Sequence, residues 1–326
     1  MARGLLNSRS FYCSAALAAL CITFFSGSVD AKATFITFDA GKAMAINASN
    51  TVTGWAGGGN SFIRTPDGIV TTFAVSGANG TQAAGINDSG SVAGFYNDSG
   101  EAAHGFVRAA DGTIATFDGP GASYTIALAI NNKGEVAGYY FDGEATHGFV
   151  RTARGKLNAF DVQGSNFTQI WSINSKGAIT GDYTGSDGLV HSFIRAADGT
   201  VTTFDAAGAD SGTSARSINI RGAITGFYFD NGAKIGFVRA PDGGITTFSL
   251  PGCRMVPVGI NRGGEIAGEC DLDKHLGHSA GFVRRANGKI QTFHVPQGGV
   301  GTQPTGINDA GVIGGYYNAG SFLRFP

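Results

Sequence analysis

Three histidines, His104, His147 and His191, recur at steps of 43 and 44 residues, and imidazole is the side chain most often recruited to bind a metal or move a proton near neutral pH. The elements that must carry them argue against one shared ion. Each lies in a segment of strand type, two strand spacings of ~4.8 Å out from the innermost strand, so neighbouring copies stand about 10 Å or more apart. Zinc holds nitrogen ligands at about 2.1 Å. A hydrogen bond from each histidine to a neighbouring loop, or to a ligand on that face, is the remaining expectation. A second set, Asp271, Asp273, His275 and His278, crowds hard and borderline ligands into one loop. Its spacing matches no established ligand motif, so it is a metal candidate and not an assigned site. No G-x-S-x-G elbow occurs and no cysteine has a histidine partner by motif. No cofactor is expected.

Aromatic and cationic residues suggest binding chemistry instead. Trp171 and Arg216 occupy one position in adjacent copies of a repeat, where the other copies have Met44, Ala84, Leu128, Val258 and Thr305. Together they offer an aromatic platform and a cation. The plainer alternative is that Trp171 packs within its own unit while Arg216 reaches solvent or a carboxylate. Tyr124 and Phe167, in variable stretches, are further candidates for stacking on a ligand.

The repeat that positions these residues has two landmarks. Ile-Asn recurs at Asn47, Asn87, Asn131, Asn174, Asn219, Asn261 and Asn308. An arginine two residues after a phenylalanine recurs at Arg64, Arg108, Arg151, Arg195, Arg239, Arg284 and Arg324. Each unit resolves into four strand-type segments, as in "IALAIN", "GEVAGYYF", "THGFVRT" and "KLNAFD", without helical periodicity. In I-N-x-x-G the asparagine caps its own turn and the fourth position must accept a left-handed backbone. Asp-Gly or a relative marks the second hairpin.

Four strands in a unit of about 44 residues match a propeller blade. The last unit ends after its third strand, "SFLRFP", while an unpartnered fourth-type strand, "FITFDA", stands at residues 35–40. Joined, they complete one blade and remove two open sheet edges. The predicted fold is therefore all-β: a seven-bladed β-propeller of four-stranded antiparallel blades, one domain over residues 32–326, closed by the N-terminal strand. Small residues before each Ile put the first strand innermost. The near-invariant turns share one face and the variable loops the other, where function is expected. The recurring arginines should cover a ring or pair across a blade boundary, and the Asp of T-F-D (Asp39, Asp118, Asp161 and Asp205) should cap the loop into the next blade.

The pattern A-I-N-x-x-G-x-V-x-G-Y-Y, H-G-F-V-R, T-F-D resembles the bacterial extracellular repeats known by the tripeptide His-Ala-Phe, the HAF family, over nearly the whole chain after residue 31. Here Gly or Ser follows the histidine. The resemblance implies an exported repeat protein and carries no established activity.

Residues 1–31 read as a cleaved signal peptide: Arg3 and Arg9, the apolar run "FYCSAALAALCITFF", then Val29-Asp30-Ala31. That run is shorter than the ~20 residues of a spanning helix and no second one follows. Removing the signal takes the formal charge from -1 to -2, which supplies no basic field for nucleic acid or an anionic membrane. Cys253 and Cys270 remain and can bridge in an oxidising compartment.

Composition and repeat thus predict a secreted or periplasmic monomer, a non-enzymatic module binding a glycan, a peptide or a cell-envelope component on its loop-rich face. The alternatives are a polysaccharide-acting enzyme with paired carboxylates on that face and a purely structural surface repeat.

Overall fold

The computed structural model describes residues 33–272, 279–296 and 301–326, which form seven four-stranded antiparallel sheets with no helix among them. Six sheets are contiguous in sequence, as blades 1 (42–73), 2 (80–117), 3 (124–160), 4 (168–204), 5 (213–248) and 6 (254–293). Blade 7 takes three strands from 303–325 and its outermost one from Thr34–Phe38, which pairs antiparallel with the last strand, Phe38 opposite Ser321 and Thr34 opposite Phe325. The chain is a seven-bladed β-propeller, with first strands packed against one another around the axis. The closing strand is 34–38, one residue earlier at its start than the sequence indicates.

Each blade boundary is built from the same parts. The Phe of each G-F-V-R-type third strand is wholly buried: Phe62, Phe106, Phe149, Phe193, Phe237, Phe282 and Phe322. Each meets the T-F-D phenylalanine of the preceding blade edge-on, at 5.8 to 6.3 Å between ring centres. The repeat arginine then lies over that same outer ring, its Cζ 4.6 to 5.1 Å from the centroid. Phenylalanine's negative ring face attracts both the edge of its neighbour and the guanidinium. The seven arginines are thus structural, and Phe38 of the closing strand supplies the ring for Arg64 that would otherwise be missing at the last boundary.

The asparagines do more than cap turns. Each Oδ1 accepts the backbone N–H four residues on, as at Thr51, Glu135 and Val312. Each side-chain NH2 donates to the backbone carbonyl of the next blade's asparagine. Asn47 reaches Asn87, then Asn131, Asn174, Asn219, Asn261 and Asn308 follow, and Asn308 returns to Asn47. All seven bonds are 2.9 to 3.2 Å, and the asparagines are buried. This is a closed ring. The turn requires φ > 0 at its fourth position, which six glycines and Asn50 (φ 66) provide. Small residues before Ile are needed because neighbours approach closely: a Cβ on Gly85 would lie 3.2 Å from Ile130 N and Leu128 O of the next blade.

The T-F-D aspartates differ from expectation. In five blades the loop after the fourth strand is held by a threonine of the following blade, whose Oγ1 accepts a backbone N–H, as Thr81 does from Val75 and Thr125 from Gly119. Asp118, Asp161 and Asp205 bind histidines instead.

Replacing Asn131 by Ala removes the inter-blade bond to the Asn174 carbonyl, which keeps the Gly177 N–H, leaves the Glu135 N–H without its acceptor and should cost about 1–3 kcal/mol. Asn132→Ala, at an exposed polar contact with Asp88, should cost less than about 1 kcal/mol. Urea denaturation of both variants measures the difference.

Candidate functional site

Every first strand carries a β-bulge at one position. The unpaired residues are Met44, Ala84, Leu128, Trp171, Arg216, Val258 and Thr305, the same series that varies from unit to unit in the sequence. A bulge re-aims a side chain out of the regular alternation, and here it turns seven unlike side chains toward one axis. Five of them, Met44, Trp171, Arg216, Val258 and Thr305, line a cavity of about 370 Å³ together with Phe227, Lys234, Val256, Pro257, Glu269, Gln303, Pro304 and Tyr316. Glu269 and Tyr316 pair with Val256 and Gln303, in the entering halves of their blades' first strands, so this cavity opens toward the loop-rich face. A smaller axial space of about 230 Å³ lies toward the asparagine ring, lined by isoleucines and small residues of the first strands and by the bulge residues Met44, Ala84, Leu128, Val258 and Thr305.

One wall is a polar stack. The Arg216 guanidinium lies 4.0 Å over Trp171 and 5.2 Å from the centre of Phe227. Behind it, Asp182 is 6% exposed and accepts from Trp171 Nε1 at 2.9 Å and Ser214 Oγ at 2.5 Å, both on Oδ2. Burial raises the Asp182 carboxyl above its usual range, while the Ser214 bond, the Arg216 charge and the Trp171 bond each pull it down. Burial likewise lowers Arg216, with Asp182 opposing. Lys234 Nζ sits 4.6 Å over Phe227; burial lowers its pKa, then the charges of Arg254 and Arg216, against Asp271 and Glu269. Glu269 is raised by burial and by Asp271, and drawn down by a bond from Ser279 and by Lys234.

The structure brings Trp171 and Arg216 into contact and into the cavity wall, so packing and exposure to a ligand coexist at that pair. Tyr124 stacks on Phe141 at 5.5 Å, and Phe167 is 38% exposed just before blade 4; neither is among the lining residues. The histidines lie at the rim of the same face, each in its own pair of carboxylates. His104 meets Asp118 at 2.9 Å and Asp98 at 3.5 Å, His147 meets Asp161 at 3.0 Å and Asp142 at 3.1 Å, and His191 meets Asp205 at 2.8 Å and Asp187 at 3.1 Å. Tyr96, Tyr140 and Tyr183 cover the rings at 5.0 to 5.3 Å. Of the loop metal candidate, Asp271 lies 3.8 Å from Arg254, while Asp273, His275 and His278 fall outside the described residues. Cys253 and Cys270 are joined as a disulfide.

Asp182, Lys234 and Glu269 were not singled out by type or motif, yet the repeat contains the signal for the two acids. The residue after the second strand's glycine is Trp55, Phe95, Tyr139, Phe227 or Tyr316 in five blades, and Asp182 or Glu269 in two. A carboxylate in an aromatic series marks a departure from packing. Lys234 likewise stands where other blades have Ala103, Thr146, Val190 or Ser279.

No family model matches the chain, and no curated protein matches it in sequence. In fold it is similar to virginiamycin B lyase from Staphylococcus aureus, with TM-score 0.65 and 14% identity over 90% of this chain and 100% of that one. A streptogramin B lyase follows at 0.61 and 13%, over 90% and 97%. TolB from Acinetobacter baumannii gives 0.51 and 12%, over 81% and 75%. At such identities the likeness is one of β-propeller architecture.

The histidine clamps make stability depend on pH. Partial burial lowers each imidazole, but the paired carboxylates outweigh it and His104, His147 and His191 end above their ordinary value. A raised histidine contributes stability that is full below the unfolded pKa of about 6.5 and is lost as pH rises through the folded value. Hydrogen bonds from the loop backbone and then from His147 hold Asp142 down at about 2; its contribution is fully present above the unfolded pKa of about 3.9 and is lost as pH falls from there through the folded value. The melting temperature should therefore be higher at about pH 5.5 than at about pH 8. Replacing all three histidines by Gln should flatten that difference in a calorimetric pH series.

Proposed function

We propose that this chain is an exported, non-enzymatic binding propeller that takes its ligand, a glycan, a peptide or a cell-envelope component, in the axial cavity of the loop-rich face. The observation that carries this reading is the convergence of five bulged, mutually unlike side chains on one cavity. Where a repeat serves architecture alone, its inward positions have no reason to diverge. The cavity's size falls within the range of small-molecule sites, about 300–1,000 Å³, and it combines aromatic and apolar walls with a few placed polar groups. Export rests on residues 1–31 as a sequence feature; among the described residues no helix is long and apolar enough to cross a membrane. The HAF-type motif is consistent with the same setting.

A second reading, an enzyme acting on polysaccharide, draws on Glu269, a largely buried carboxyl in the cavity wall, and on the lyase names of two fold neighbours. Among the described residues the second buried acid near the cavity, Asp182, is engaged by Trp171 and Ser214 behind the wall.

A panel of glycans, cell-wall fragments and short peptides tested by calorimetry should yield a ligand whose affinity falls at least about tenfold, roughly 1.4 kcal/mol, in Val258→Trp. That bulge position already holds a tryptophan in blade 4, so the substitution fills the cavity without a new backbone demand. Ligand binding that Val258→Trp leaves unchanged would place the site elsewhere, and turnover of a polysaccharide abolished by Glu269→Gln would favour the enzyme.

A further inference from the structure

Among the described residues the cavity wall holds two cations with no carboxylate within 4.0 Å. Arg254 has Asp271 at 3.8 Å and Arg285 has Glu265 at 2.7 Å. Arg216 and Lys234, by contrast, form no ion pair within 4.0 Å among the described residues. Arg216 Nε is buried and finds no acceptor among those residues. What surrounds the two cations is aromatic: Trp171 and Phe227 for Arg216, Phe227 and Phe229 for Lys234. Ring faces compensate part of a cation's lost hydration but bring no net negative charge. Asp182 acts on Arg216 at longer range, its Oδ2 already taking two donors.

We infer that the axial cavity selects a carboxylate-bearing ligand, with the anion between Arg216 and Lys234 and a flat or apolar body against Trp171 and Tyr316. The inference rests on the binding reading above and narrows it. A carboxylate supplies acceptors in the geometry a guanidinium prefers and cancels the repulsion between two cations that share the Phe227 ring. A neutral sugar would leave both cations with only distant carboxylates in a partly desolvated wall. Glu269, on the neighbouring blade, forms no ion pair with Lys234 within 4.0 Å, and burial shifts its carboxyl toward the neutral form. The apolar remainder, Met44, Val256, Pro257, Val258 and Pro304, suits a phenyl or indole body. Two sources present this chemistry, a free aromatic acid and the C-terminus of a peptide ending in an aromatic residue.

The chain has two tryptophans, Trp55 and Trp171, so Trp55→Phe leaves Trp171 as the single fluorescent reporter beside the cavity. Other blades carry Phe95 or Phe227 at that position, so the change is tolerated by the repeat. This variant would be titrated with 3-phenylpropionate and its amide, and with a pentapeptide ending in Phe, free and amidated at its C-terminus. At least one free acid should bind at least about tenfold tighter than its amide. Lys234→Met should erase that preference while amide affinity stays within about twofold, and Glu269→Gln, which keeps a neutral donor, should retain it. Binding by the peptide alone identifies a peptide terminus as the source; binding by both acids identifies the shared carboxylate. Equal affinity of acid and amide, or a panel ligand that is neutral yet sensitive to Val258→Trp, overturns carboxylate selection and leaves the cavity reading intact. No ligand sensitive to Val258→Trp, from the panel or these probes, overturns both.

Discussion

The bond from each asparagine side chain to the next asparagine's carbonyl is the constraint on which the rest of this propeller depends. A single side chain closes its own turn with Oδ1 and ties its blade to the next with Nδ2. The tie is buried, so neither group can fall back on water if it is broken. Because it runs from Asn308 back to Asn47, the seven ties form one loop, and a change of blade number or angle would break a bond somewhere. The edge-to-face phenylalanines and covering arginines repeat the same logic farther out from the axis. At the last boundary they need Phe38, which reaches it only because the N-terminal strand pairs with the chain's end.

A frame fixed on one face leaves the other free to vary. The bulges sit between these two regimes: their backbone is repeated seven times, while their side chains run from Ala84 to Trp171. The fold therefore presents seven independent inward positions on a rigid ring, a favourable basis for a site because the scaffold fixes each side chain's direction without fixing its identity. The charge on this face is also divided. Blades 2 to 4 carry the Asp–His–Asp clamps at the rim, and blades 5 and 6 carry Arg216, Lys234 and Glu269 at the axis.

Much of the architecture was legible in the residues, and for physical reasons. Turns that need φ > 0 restrict their residues to glycine or asparagine, so I-N-x-x-G marks a hairpin wherever it occurs. The unpartnered strand at residues 35–40 and the three-stranded last unit implied closure, and the small residue before each Ile implied close packing at the axis. What could not be read were contacts between repeats. That an asparagine's amide crosses to the next blade is a fact of space, as is the pairing of His104 on one strand with Asp118 just past the end of the next, fourteen residues away. The site was half legible. Trp171 and Arg216 stood out as unlike members of a series, whereas Asp182 and Glu269 become visible only when the second strands are compared position by position. Tyr124 and Phe167 have the right chemistry for a ligand but are not among the residues that line the cavity.

The central claim is that closure makes the seven blades a single cooperative unit, and hydrogen exchange in blade 4, opposite the seam, tests it most directly. In a chain lacking residues 33–40, the account predicts that amides of 168–204 exchange faster in step with those flanking the seam, because loss of the closing strand and of Phe38 weakens the boundary that completes the ring. Blade 4 keeping full protection while blades 1 and 7 lose theirs would contradict it, and would show seven units that merely lie side by side.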